Sequence, residues 1–226
     1  MFVVLLLLSQ CSAERQIPNA ASLSPSEAAQ LFETDKVTLH DYHSLYSLIF
    51  SDLSRRLYSV NLFEIGFGCG MKYGGGKSEP YWRSLGAQNI DYGDIKLCGT
   101  HPTLRYFDQG KNDSYAKMSF YDIIVDDGSH RRIHQLNSLY HAWPRVSAGG
   151  WLVIEDLFYN DVSVIPELKE IAHCLAVHDP RALVNPIALE KKLKCLESPL
   201  AFLYVQSAFA LVGHSILAIK KKEVNS

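Results

Sequence analysis

The chain has 226 residues, 47% apolar and 20% charged, a globular composition that excludes a disordered chain and leaves room for one α/β domain with a full core. Its 22 Lys and Arg against 24 Asp and Glu give a formal net charge of −2, which argues against a nucleic-acid binder working through broad phosphate neutralisation. No stretch approaches the roughly 18 apolar residues of a membrane-spanning helix.

Phe2 to Leu8 is an unbroken apolar run followed by Ser9-Gln10-Cys11-Ser12-Ala13. The small residues suit signal cleavage, but a positive n-region is missing. Two readings stay open: residues 1–13 are a signal peptide that sends the chain into the secretory pathway, or they are an unusual N-terminus of a cytoplasmic protein. Ordered structure is expected over 24–226 as one domain. Ser24-Pro25-Ser26-Glu27 predicts a helix with a capping box and proline at its first position. A second helix begins near Tyr42, with Leu45, Tyr46, Ile49, Phe50, Leu53 and Leu57 on one face as core.

The period then changes. Asn61 to Ile65 reads as a strand, Gly66 to Lys77 as a glycine-rich loop, Pro80 to Leu85 as a helical turn and Asn89 to Tyr92 as a second strand. Leu104 to Phe107 and Asp122 to Asp126 read as further strands. Ile133, Leu136, Leu139, Tyr140 and Trp143 recur at helical spacing, and Trp151 to Glu155 is another strand. Strands alternating with helices predict a Rossmann-like, mostly parallel α/β sheet with helices on both faces. Two apolar runs between Ala201 and Lys222, broken near Gly213, predict an antiparallel pair closing the sheet edge. Phe158 to Pro199 is less regular and suits a helical cap. The five cysteines show no CxxC pair, so free thiols are expected, although Cys174 and Cys195 are placed to pair if residues 1–13 are removed.

Phe63-Glu64-Ile65-Gly66-Phe67-Gly68-Cys69-Gly70 sets three glycines directly after an apolar strand, where the backbone turns sharply and a ligand can approach closely. Both a dinucleotide fingerprint and a P-loop require glycine at position 71, which is Met71. The remaining reading is S-adenosylmethionine (SAM), whose positive charge Glu64 would meet, with Asp94 at the end of the next strand on the ribose hydroxyls. Asp126-Asp127-Gly128-Ser129-His130 and Glu155-Asp156 end two further strands. Asp127, Glu155 and Asp156 therefore form a hard oxygen set suited to Mg²⁺. His130 lies beside them as a proton acceptor for a hydroxyl. His40, His43, His134 and His141 read as structural.

EIGFGCG, YDIIVDDGSH and GGWLVIEDL together resemble the class I SAM-dependent methyltransferases. The closer likeness is to the Mg²⁺-dependent sugar O-methyltransferases of macrolide biosynthesis and to cephalosporin-hydroxylase-like proteins. Glu33-Thr34-Asp35-Lys36 with His40, Tyr42 and Tyr46 also resembles that group's segment ahead of the domain. The resemblance runs from about Thr34 to Leu157. It implies Asp127, Glu155 and Asp156 as metal ligands, His130 as base, Glu64, Gly66, Gly68 and Asp94 around the methyl donor, and Asp108 and Gln109 near the adenine. The reading is thus a SAM-dependent O-methyltransferase acting on a small hydroxylated molecule or sugar with Mg²⁺. Its rival is a ligand- or partner-binding protein on the same fold, without turnover, as suits a secreted chain. Acceptor identity and oligomeric state are not readable from the residues.

Overall fold

The computed structural model describes residues 19–57, 59–157, 207–212 and 215–223, with positions 170, 174, 195, 197, 199, 200, 203 and 206 between them. The expected signal segment, residues 1–13, and most of the expected cap, 158–199, lie outside the described residues.

The N-terminal part is helical. The helix α1 (Pro25–Leu31) carries the predicted capping box, the Ser24 amide donating to Glu27 Oε2 at 2.8 Å and the Glu27 amide to Ser24 Oγ at 3.4 Å. A single turn, α2 (Asp35–Thr38), precedes α3 (His43–Ser54), whose Tyr46, Ile49, Phe50 and Leu53 are buried as the stripe predicts.

The strands β1 (Val60–Ile65), β2 (Ala87–Asp94), β3 (Leu104–Tyr106), β4 (Tyr121–Asp126), β5 (Val146–Ile154), β6 (Ser207–Val212) and β7 (Leu217–Lys221) form one sheet in the order β3-β2-β1-β4-β5-β7-β6. The first five are parallel, and β7 runs antiparallel to both β5 and β6. This is the expected Rossmann-like arrangement with an antiparallel C-terminal edge. The helices α4 (Glu79–Leu85), α5 (Asn112–Ala116) and α6 (Arg132–Asn137) stand between the strands.

Strand alternation divides the core in two. Leu62, Ile123, Val125, Trp151 and Val153 face Tyr46, Phe50, Tyr81 and Trp82, whereas Phe63, Ile65, Ile124, Leu152 and Ile154 face Tyr115, Leu139 and Trp143. One detail departs from the helical pattern. Ile133 is 59% exposed, because α6 gives way to a wider π-helical turn over Ser138–Ala142 that shifts the face carried inward to Leu139 and Trp143.

The expectation of free thiols is corrected by two disulfides, Cys69–Cys98 and Cys174–Cys195. The second is the pairing the sequence allowed. The first was hidden by chain spacing: Cys69 lies four residues past the end of β1 and Cys98 four past the end of β2, and these strands are parallel neighbours. Equal distance beyond two adjacent parallel strands brings the two thiols together.

Candidate active site

In the order β3-β2-β1-β4-β5 the chain reverses its direction of travel across the sheet between β1 and β4. A crevice opens at such a switch point, beyond the carboxyl ends of the strands. Asp94 ends β2, and Gly66, Asp108, Asp127 and Asp156 follow the ends of β1, β3, β4 and β5 on this edge. Gly66 has φ +102°, and a Cβ there would lie 2.0 Å from the Asp127 carbonyl oxygen. The exits of β1 and β4 are pressed together so closely that only glycine fits.

Period-two alternation places Glu64, Asp127 and Glu155 on the same sheet face, at the ends of three adjacent strands. The registers Glu64↔Val125 and Asp126↔Ile154 fix their levels. Over them lies Lys36 from α2, 1% exposed. Its Nζ is 2.5 Å from Asp127 Oδ2, 2.8 Å from Glu155 Oε2 and 3.2 Å from Glu64 Oε1, and 5.6 Å from the centre of the Trp82 ring. Tyr46 Oη donates to Glu155 Oε1. Ser78 Oγ and Trp82 Nε1 donate to Glu64 Oε2 at 2.5 and 2.8 Å. Burial pulls the Lys36 ammonium toward its neutral form, but the charges of Asp127, Glu155 and Glu64 outweigh this and hold it well above the ordinary lysine range. Burial likewise lifts the Asp127 carboxyl, and carries Glu155 to about 7 against the pull of Lys36.

Asp156, one residue past Glu155, stays on the same side. Its left-handed backbone, φ 51°, turns the carboxylate toward Asp127 and His130, itself at φ 55°. Ligand atoms of Asp127, His130 and Asp156 lie within 4.8 Å of one another. Two non-glycine residues in this sparsely populated region within one small cluster is a pattern typical of functional sites. Tyr42 Oη donates to Asp156 Oδ1 at 2.7 Å, and the imidazoles of His130 and His40 each stand 3.8 Å from a different Asp156 oxygen. Burial lowers the His130 pKa, with Asp156 opposing and Lys36 adding to the shift, so the ring is neutral at neutral pH, the form that accepts a proton or binds a metal.

The structure therefore joins Asp127, Asp156 and His130 as expected but gives two predicted residues other partners. Glu155, expected beside Asp156 as a ligand, directs its oxygens to Lys36 and Tyr46. Glu64, expected to meet the positive charge of a ligand, meets Lys36, Ser78 and Trp82 inside the protein. The reason is the same in both cases: a buried ammonium needs acceptors, and these two carboxylates share its face of the sheet.

The glycine loop is held from below by Asp94, whose Oδ2 accepts the amides of Gly68 and Cys69 at 3.0 and 3.2 Å and whose Oδ1 accepts that of Lys96 at 2.9 Å. Gly68 has φ +85°, and a Cβ there would make only ordinary contacts, with Met71 Cγ at 3.5 Å and Gly75 Cα at 3.7 Å. The Cys69–Cys98 bridge ties the loop to the segment after β2, beside a recess of about 490 Å³ lined by Phe67, Gly74, Gly75 and Cys98–His101. Asp108 Oδ1 accepts the Gly110 amide at 2.9 Å. Gln109 is buried and spans two strand ends, its Nε2 donating to Asp126 Oδ1 at 2.6 Å and its Oε1 accepting the Ser129 amide at 2.8 Å. His43 and His134 are structural as expected, His43 between Tyr81 Oη and the Leu23 carbonyl, His134 on Ser129 Oγ.

Lys36 and Tyr42 belong to a motif whose resemblance assigns them no role, whereas the helical stripe makes Tyr46 core and His40 reads as structural. Strand alternation was the available signal. It puts three acids on one buried face, and such a face demands a cation from elsewhere in the chain.

Two bacterial proteins are similar in sequence. One is the mycinamicin VI 2''-O-methyltransferase of Micromonospora griseorubida, 30% identical over 167 residues, 68% of this chain and 41% of that protein. The other is the 8-demethyl-8-alpha-L-rhamnosyl tetracenomycin-C 2'-O-methyltransferase of Streptomyces olivaceus, 29% identical over 153 residues, 63% and 39%. No family model matches the chain. Among solved structures, the MycE methyltransferase of the mycinamycin biosynthetic pathway, crystallised with Mg and SAH, superposes with a TM-score of 0.63 at 21% identity, covering 91% of this chain and 55% of that one. The same enzyme with Mg, SAH and mycinamycin VI also gives 0.63. The chain spans about two fifths of the length of the curated relatives it matches. It shares the fold of this solved methyltransferase and is similar in sequence to two proteins named as 2''- and 2'-O-methyltransferases.

Proposed function

We propose that the protein is a SAM-dependent O-methyltransferase that acts on a hydroxyl of a small molecule or sugar with help from a divalent cation. The observation that carries this reading is the meeting of Asp127, His130 and Asp156 at the switch point of the sheet, one strand from a glycine loop pressed against Asp127 itself. The relatives named for 2'- and 2''-O-methylation support it.

The donor set fits a cation. Asp127 and Asp156 supply hard oxygens that would hold Mg²⁺ or Mn²⁺, with the imidazole of His130 beside them rather than on the cation. Glu155 adds its charge from the layer held by Lys36. A bound cation supplies stabilisation of oxyanion charge on the acceptor. The chain's own contributions are separate. Neutral His130 removes the proton of the acceptor hydroxyl, whose oxygen takes the methyl group from the sulfonium, leaving a thioether and a methyl ether. Gly66, Gly68 and the Asp94-held loop receive the donor, with Asp108 and Gln109 beside it. Tyr42 fixes the Asp156 carboxylate. Holding the two reactants at attack distance accounts for much of the rate.

Two disulfides among the described residues support an oxidising compartment, hence the secretory pathway rather than the cytoplasm. A SAM-consumption screen over hydroxylated sugars and small polyketides, with Mg²⁺ or EDTA, tests the function. Cation-dependent consumption with any acceptor supports it. SAM binding without turnover across the panel favours a binding protein on this fold.

A further inference from the structure

Lys36 is a buried cation of the acid site that the chemistry above does not use. It is almost fully enclosed, yet it comes from a four-residue helix ahead of the sheet and touches a carboxylate from each of three adjacent strand ends. Two of those acids are fully engaged. Glu64 also accepts from Ser78 and Trp82, and Glu155 from Tyr46. The third, Asp127, is shared: Oδ2 faces the ammonium, while the same side chain belongs to the group with His130 and Asp156. The cluster is thus layered, with a covalently tethered cation inside and an open donor set outside, joined through Asp127.

We propose that Lys36 is a positioning residue that serves as the fixed inner cation of the site. It neutralises the inner layer of Glu64 and Glu155 and aims Asp127 outward, so that the exchangeable cation is taken up in the outer layer, by Asp127 and Asp156 beside His130. The proposal rests on the cation-assisted reading of the site. With Lys36 in place, three carboxylates share one positive charge. Without it they repel one another in a buried volume, where charges interact far more strongly than in water. A divalent cation then takes the place of the missing ammonium as counter-ion and is drawn inward.

The test uses the full chain without donor or acceptor, at pH 8, by thermal melting in EDTA or Mn²⁺ and by Mn²⁺ titration followed by electron paramagnetic resonance. Lys36→Met keeps the length of the side chain and removes its charge. It should melt lower than the parent in EDTA and recover more of its Tm on Mn²⁺ addition than the parent gains. It should also bind Mn²⁺ tighter by about tenfold or more. Should it fail to fold in EDTA, the charge-compensated Lys36→Met/Glu64→Gln/Glu155→Gln variant decides, because it restores folding if charge is what Lys36 supplies. Parent-like melting and Mn²⁺ affinity in Lys36→Met would overturn the proposal. So would a compensated variant no more stable than Lys36→Met, since Lys36 would then act by filling space. A parent that binds no Mn²⁺ sinks the cation-assisted reading instead, while the EDTA melts still judge Lys36.

Discussion

Around Lys36 every carboxylate oxygen of Glu64 and Glu155 has a partner inside the protein, and with Asp127 the three acids come from three neighbouring strand ends. The glycine loop a few ångströms along the same edge is built differently. It hangs on backbone turns, on the Asp94 carboxylate and on one disulfide, and a Cβ at Gly68 would make only ordinary contacts. The first region has its polar groups matched before any ligand arrives, and the second keeps backbone exposed for one. A site that must hold charge in fixed geometry is rigid, whereas a site that must admit a large donor is stapled at its ends and left open between.

The largest expected effect separates chemistry from binding within the acid region. His130→Ala should slow methyl transfer by about 10²–10⁴-fold. SAM affinity should hold, and the cation should remain bound through Asp127 and Asp156. A variant with full turnover would remove His130 from the mechanism.

Next comes a contrast between two glycines of one loop. Gly66→Ala meets the Asp127 backbone at 2.0 Å in a left-handed conformation, and should cost about 3 kcal/mol or more, read as a large drop in Tm. Gly68→Ala has room and bears only the conformational cost, about 1–2 kcal/mol. Equal losses for both would contradict the view that the strand exits are locked and the loop is open.

The staple is tested by Cys69→Ser with Cys98→Ser. Releasing a loop with a sequence separation of 29 should lower stability by about 2–4 kcal/mol and weaken SAM binding, with little change in Mn²⁺ affinity. A matching fall in Mn²⁺ affinity would show that the two regions are one mechanical unit.

The smallest effect lies outside both. Burial raises the Asp52 pKa, but hydrogen bonds from Lys220 and Trp151 and the charges of Lys220 and Arg56 outweigh it and hold Asp52 below the ordinary aspartate range. A depressed acid stabilises the fold above its unfolded pKa, and that contribution is lost as pH falls below about 4. Asp52→Asn should therefore flatten the acid limb of the stability–pH curve, and an unchanged limb would place acid sensitivity elsewhere.

Much of this contrast was legible in the residues. The strand–helix alternation, the capping box at Ser24, the α3 stripe and the antiparallel closing pair can all be read because each depends on local spacing. The outer acids were legible for the same reason, each following an apolar strand directly. Lys36 and the Cys69–Cys98 bridge were not, because they depend on which strands are neighbours, and strand order is a property of topology rather than spacing. Glu64 illustrates the limit: its place before the glycines is visible in sequence, but the partner that claims it comes from a turn 28 positions earlier. Asp156 escapes period-two reasoning for another reason, since its left-handed backbone reverses the face that alternation assigns.

The central claim, that this edge receives a methyl donor, is tested most directly by calorimetric titration with SAM in the presence of Mg²⁺. The account predicts binding at one site per chain, abolished in Gly68→Val, where a β-branched residue cannot adopt the loop's left-handed turn, and retained in His130→Ala. No binding by the parent chain, or binding that survives Gly68→Val unchanged, would contradict it.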